Sequence, residues 1–137
     1  MGLFTWCESQ LHLLAGLPEA LQNAQLEEVL AQVDSGKAQA ESKELFALWL
    51  QGDQAAGDAI VARMHREAEG KAFERYFVET LIDSRNRTMA DKGENYLERT
   101  GNTFFAVGAL HLFGDAGLIR EFRRRGYRVV DLQPPPV

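Results

Sequence analysis

The spacing of apolar residues separates a helical stretch from a final third of different character. After Pro18, Leu21, Leu26, Val29, Leu30 and Val33 form the stripe of an amphipathic helix, and Pro18 suits its first turn. Gly36 should end it. A second helix, over about 38–51, carries Leu45, Phe46, Leu48, Trp49 and Leu50 and stops at Gly52, the residue type expected just past a helix C-terminus. Asp53 is placed to cap a third, over about 54–67, whose apolar content is mainly Ile60, Val61 and Met64. A longer fourth helix follows Gly70, with Phe73, Phe77, Leu81 and Ile82 at helical spacing, and runs past Arg85 and Asn86 towards Arg99. Phe and Trp at this spacing are expected in the core.

The C-terminal third reads differently. Residues 103–107 are β-branched and aromatic, Gly108 to Gly114 is a loop, about 115–125 is a helix with Asp115 as a possible cap, and 127–132 is a second strand. That connection is too long for a hairpin, so the two strands should be parallel. Adding a short apolar segment at 2–6, the expected fold is a helix-rich α/β single domain over 1–137, with a short parallel sheet (strands near 2–6, 103–107 and 127–132) and about five helices. A chain of this size buries roughly 65–70% of its unfolded surface, enough for one core without staples.

Charge narrows the partners. A net charge of −5 argues against nucleic acid, which calls for a basic face. The run Arg123, Arg124 and Arg125 falls at a helix end, where cations favour the dipole and long side chains cover apolar surface. The single cysteine, Cys7, can form no internal disulfide. No segment reaches the roughly 20 apolar residues of a transmembrane helix. The first residues lack the basic start of a signal peptide, and nothing else assigns a compartment.

The chemistry gathers at "FFAVGALHLFGDAG", residues 104–117. Ligands of parallel α/β sheets approach the carboxyl ends of strands, and His111 stands in the loop leaving one. Gly108 and Gly114 permit close approach there, and Gly117 would let the next helix pack on the sheet. The glycines do not form a dinucleotide fingerprint, and neither a Walker lysine nor a GxSxG elbow is present. A metal suits an imidazole, yet catalytic zinc normally takes three protein ligands. His12 and His65 lie on helices without a second ligand at suitable spacing and read as surface or partly buried residues. His111 can equally serve only as a hydrogen-bonding loop residue. Arg85 by itself reads as a helix arginine paired with a nearby acid such as Asp83 or Glu79.

Residues 104–130, "FFAVGALHLFGDAGLIREFRRRGYRVV", resemble the closing signature of the TraB/GumN family, which includes TIKI-type membrane proteases: a strand, GxxH, two further glycines, a helix, then Gly-Tyr-x-Val. "LIDSRNRTMA" (81–90) resembles that family's Arg-Asn helix motif, and "LWLQGD" (48–53) and "GLFTWCESQLHLLAGLP" (2–18) match more loosely. Relatives carry an earlier GxxH and an acidic residue in a preceding half, so the chain looks like the C-terminal half alone. The family often reads Gly-Leu-Glu-Thr where this chain has Gly2-Leu3-Phe4-Thr5, an aromatic in place of an acid.

The resemblance implies a metal-dependent hydrolase of peptidase or esterase type, incomplete and inactive alone. His111 would be a metal ligand and catalytic residue, Arg85 a catalytic cation, and Asn86, Gly108, Gly114 and Asp115 ligand-binding positions. A divalent metal ion is the implied cofactor, with haem as an alternative suggested by a related haem-binding group. Self-association or a complementing N-terminal half would supply what is missing. The competing expectation is a non-catalytic ligand-binding or protein-interaction module.

Overall fold

The computed structural model describes residues 11–132 apart from Leu14 and Thr100. The chain forms two compact units, residues 1–42 and 43–137.

In the first unit, α1 (Glu19–Asp34) starts directly after Pro18, which occupies the N-cap position in extended conformation rather than the first turn. Its entry is tied by Gln22 Nε2 donating to the Leu17 carbonyl at 2.7 Å. Its exit is covered by Ser35 Oγ donating to the Ala31 carbonyl at 2.7 Å, and Gly36 (φ 75°) then turns the chain as expected. The stripe Leu26, Val29, Leu30 and Val33 remains 45–61% exposed. Helical spacing shows only that these residues share a face; it does not supply what covers them.

Next comes α2 (Lys37–Gln51). In the second unit its Leu48 is buried, whereas Phe46 and Trp49 are 60% and 68% exposed and stack on each other at 5.8 Å. The expectation that both aromatics are core is corrected here. Gly52 (φ 65°) ends α2, and Asp53 caps α3 (Gln54–Glu67) by accepting from Ala55 N at 2.8 Å and Ala56 N at 3.3 Å. Both boundaries of α3 fall where the sequence placed them.

The expected fourth helix is present as a continuous helical run from Ala72 to Leu97, but with a change of gauge inside it. A short α4 (Ala72–Tyr76) widens into a π segment (Phe77–Asp83) and returns to α geometry in α5 (Ser84–Leu97). Ser84 N bonds the Glu79 carbonyl, five residues back. Side chains cover carbonyls at this junction: Ser84 Oγ donates to Thr80 O at 2.7 Å and Arg85 Nη1 to Leu81 O at 3.3 Å. π insertions are rare in soluble helices and concentrate at functional positions.

The last helix, α6 (Leu118–Arg124), begins at Gly117 without a side-chain cap. Asp115, expected to cap it, is instead ion-paired with Arg120. Arg125 joins α5 to α6, its guanidinium reaching Asp91 at 2.7 Å, Glu94 at 2.9 Å and Glu121 at 2.9 Å. These carboxylates raise the Arg125 pKa, the bond to Asp91 most of all. Thus the last member of the arginine run is a clamp between helices. Arg124 pairs with Glu121 at 3.6 Å, and Arg123 Nη1 donates to Gln54 Oε1 at 3.2 Å.

The core of this unit centres on Leu48, Ile60, Val61 and Phe113, with Val78, Leu81, Ile82, Met89, Ala90 and Leu118 also buried.

No strand forms among the described residues, so the expected α/β fold with a parallel sheet is replaced by an all-helical arrangement joined by irregular segments. The proposed strands at 103–107 and 127–132 do not pair, and the one at 2–6 lies outside the described residues. The reason is partnership. Strand composition is a preference for a pleated, half-buried surface, and a strand exists only where its backbone groups meet a neighbour. Here Phe104 is 94% and Leu132 88% exposed, so neither segment has the packed face that would hold a ladder together.

Candidate functional site

The residues singled out in the sequence converge where the loop 108–117 crosses the helical run and α3. Gly108 opens a single 3-10 turn, Ala109–His111, and the His111 amide donates to the Gly108 carbonyl at 3.0 Å. A Cβ on Gly108 would lie 3.6 Å from His111 Cδ2, ordinary contact, so the glycine borders the imidazole without being demanded by it.

The imidazole is half-buried and faces α5. His111 Nδ1 lies 2.7 Å from Asn86 Oδ1, and Asn86 Nδ2 donates to the Ala116 carbonyl at 2.9 Å. Asn86 is 1% exposed, so each bond is made away from water. A buried amide left unpaired would cost about 1–3 kcal/mol, so the two bonds justify its burial. They also pin both ends of the loop segment 111–116 to one side chain.

A second anchor comes from α3. Asp58 Oδ1 accepts from Gly114 N at 2.7 Å, and Asp58 Oδ2 from Arg120 Nη2 at 2.8 Å. Gly114 has φ +82°, and a Cβ there would fall 2.6 Å from Val61 Cγ1, so both backbone and space demand glycine. At Gly117 a Cβ would meet the Phe113 carbonyl oxygen at 2.3 Å. Its purpose is therefore to let the loop fold against its own backbone, not to seat a helix on a sheet.

Arg85 is half-buried beside His111. Among the described residues it forms no ion pair, and the expected alternative partner Asp83 is taken by His65 at 3.1 Å. Burial, and after it the positive charge of Arg85, hold the His111 pKa below the ordinary imidazole value. Both effects favour the neutral imidazole.

Of the six sequence candidates, the structure brings His111, Asn86 and Arg85 together with Gly108 alongside; Gly114 serves loop geometry, and Asp115, 89% exposed on its side chain, serves Arg120. Sequence reasoning missed Asp58 and Arg120. The available signal was an acid set between Gly57 and Ile60 on the buried face of α3.

His111 is one metal donor. Among the described residues there is no group of three or more His, Cys, Asp or Glu that could hold a metal ion, and the Asn86 oxygen already faces His111 while its NH₂ faces Ala116. These residues by themselves do not fit the three-ligand set of a catalytic zinc. A cavity of about 270 Å³ lies elsewhere, lined by His65, Glu69, Arg75 and Glu79 among others. No described helix is long and apolar enough to cross a membrane.

No curated protein matches the chain, and no solved structure does. The family model described as TraB/PrgY/gumN matches residues 1–131. With that match extending through both the Arg85-Asn86 helix and the Gly108–His111 turn, the chain belongs to the TraB/PrgY/gumN family.

Proposed function

We propose that this chain carries part of a metal-dependent hydrolase site, of peptidase or esterase type, that needs further donors before it can act. The observation that supports this most is the pairing of a neutral, half-buried His111 with a guanidinium, Arg85, that no carboxylate among the described residues neutralises. A structural arginine in a partly buried place is normally paired, because an isolated charge there is costly. An unneutralised one beside an imidazole suits the negative charge that develops on a carbonyl or phosphoryl oxygen during attack.

When bound, a divalent metal would supply a water acidic enough to attack at neutral pH. His111 would be one donor to it, and Arg85 would hold the charged oxygen of the substrate. The missing donors would come from a complementing N-terminal half or a second copy. Exposed apolar side chains such as Phe104 and Leu132 offer such a partner surface to cover.

A non-catalytic ligand-binding or interaction module is the second reading, favoured by the lack of a three-donor group among the described residues and by the aromatic Phe4 where relatives often carry an acid. Elemental analysis of the purified chain and of His111→Ala tests the two. Metal that binds once the missing donors are supplied, by self-association at high protein concentration or by an added N-terminal half, and that disappears on substitution is expected for the half-site; no uptake of added zinc or manganese under those conditions would leave only the module.

A further inference from the structure

The two bonds of Asn86 carry more information than their distances. A side-chain amide has one face that donates and one that accepts, and the two are not interchangeable when a neighbour can play only one part. The Ala116 carbonyl can only accept, and it lies 2.9 Å from Nδ2. That fixes the amide: its NH₂ faces Ala116, and its oxygen faces His111 Nδ1 at 2.7 Å. An oxygen can only accept, so the neutral imidazole must carry its proton on Nδ1. Nε2 then holds the lone pair.

We propose that Asn86 is a positioning residue, one that reads the Ala116 carbonyl with its NH₂ and thereby holds His111 as the Nδ1–H tautomer with Nε2 presented to whatever ligand the site takes. The logic is that of metal-ligating histidines generally, whose second nitrogen donates to a carbonyl or carboxylate that sets the ring's orientation. What is specific to this chain is the relay. The tautomer of His111 is set by a backbone carbonyl five positions further along the same loop, through a side chain on another helix. Loop conformation and imidazole chemistry are therefore coupled: if residue 116 moves away, the amide loses its orienting partner and can turn over, and the histidine loses its preference. Asn86, 1% exposed, thus acts on the site through the imidazole.

The use of Nε2 for a metal rests on the half-site reading; the tautomer does not. The full chain, labelled with ¹⁵N-histidine and observed above the imidazole titration range by long-range ¹H–¹⁵N correlation, tests it. His111 is assigned by the resonance lost in His111→Gln. The expected pattern is a protonated, pyrrole-type Nδ1 and a bare, pyridine-type Nε2. A protonated Nε2 in the wild type would overturn the proposal without any variant. Asn86→Asp retains an acceptor at Nδ1 and should keep the pattern, whereas Asn86→Leu, similar in volume and apolar, should lose it; a folded Asn86→Leu chain with the wild-type pattern would also overturn it. Added Zn²⁺ should move the Nε2 resonance and leave Nδ1 protonated, and coordination through Nδ1 would refute the assignment. The wild-type pattern with no response to zinc would support the tautomer and count against the half-site.

Discussion

Gly57→Ala and Gly93→Ala make the same chemical change in the middle of two helices and should have opposite consequences. In an exposed helix interior, alanine is favoured over glycine by about 1 kcal/mol, because glycine loses more backbone entropy on folding. At Gly57 the added Cβ would fall 2.4, 2.5 and 2.7 Å from Cγ, Cδ1 and Cδ2 of Phe113. Those atoms are the root of the ring, which rotation about its own axis cannot remove, and Phe113 is itself buried against Leu48, Ile60 and Val61. Overpacking of this kind costs about 1–3 kcal/mol, with the short contacts pointing to the upper part of that range. After the helix gain is subtracted, a net loss of about 1–2 kcal/mol remains. At Gly93 the new Cβ meets only the far end of Phe122, Cζ at 2.8 Å with the next atoms at 3.6 and 3.8 Å. That ring is half-buried and can swing, so the helix gain should survive and the variant should lie between neutral and about 1 kcal/mol more stable. Urea denaturation with both variants at one protein concentration reads the difference as a change in midpoint at constant slope. A Gly57→Ala chain as stable as the wild type would mean that Phe113 does not sit over α3. The loop carrying His111, two residues away, would then be misplaced as well.

Removing the clamp by Arg125→Ala should destabilise the second unit by about 1–3 kcal/mol, since it breaks charge-assisted bonds and leaves Asp91, Glu94 and Glu121 facing one another; added salt should shrink the loss, and Arg125→Lys, lacking the fork, should recover only part of it. In the metal-free protein the depressed pKa of His111 means that the unfolded chain binds the proton more readily, so stability should be full above about pH 6.5, fall below it and level off once the folded state also protonates. His111→Gln should flatten that slope in thermal melts across the same window, and an unchanged slope would refute the assignment. Asp83 shifts the other way: burial raises its pKa more than His65 lowers it, so the ionised form disfavours the folded state above the folded-state value and not below the usual carboxylate range. Asp83→Asn should therefore raise the melting temperature at pH 7 and not at pH 3, and a lower melting temperature at pH 7 would show that the His65 pair outweighs burial.

Local chemistry was legible where its partner is also local. Gly36 and Gly52 stop helices because left-handed backbone is available to glycine at little cost, and Asp53 caps α3 through amides two and three residues away. Local side-chain chemistry does not decide the structure at Asp115 or at the expected strands. Asp115 has the right side chain for a cap, but a guanidinium five residues on competes for it and the helix starts later, at Leu118. Residues 103–107 have strand composition, yet composition cannot provide the neighbouring backbone on which a ladder depends. The π segment left no trace in apolar spacing, since Leu81 and Ile82 are buried in it just as an unbroken α-helix would require.

The site shows the same division. His111 announced itself by standing among glycines, and Arg85 and Asn86 through a motif resemblance, but the wiring among them spans 25 and 30 residues and answers to no periodicity. Asp58 reaches Gly114 across 56 residues. What makes Asn86 informative is that its two partners lie in one loop and place opposite demands on one amide, a constraint that neither partner imposes alone. A histidine at this position could be recognised from sequence as chemically suited to a ligand; which of its nitrogens is offered depends on a carbonyl that only the folded loop brings within reach. The loop's two anchors are thus not equivalent: Asp58 on α3 holds the turn at residue 114, whereas Asn86 on α5, by bonding residues 111 and 116 together, links the turn to the tautomer proposed for residue 111.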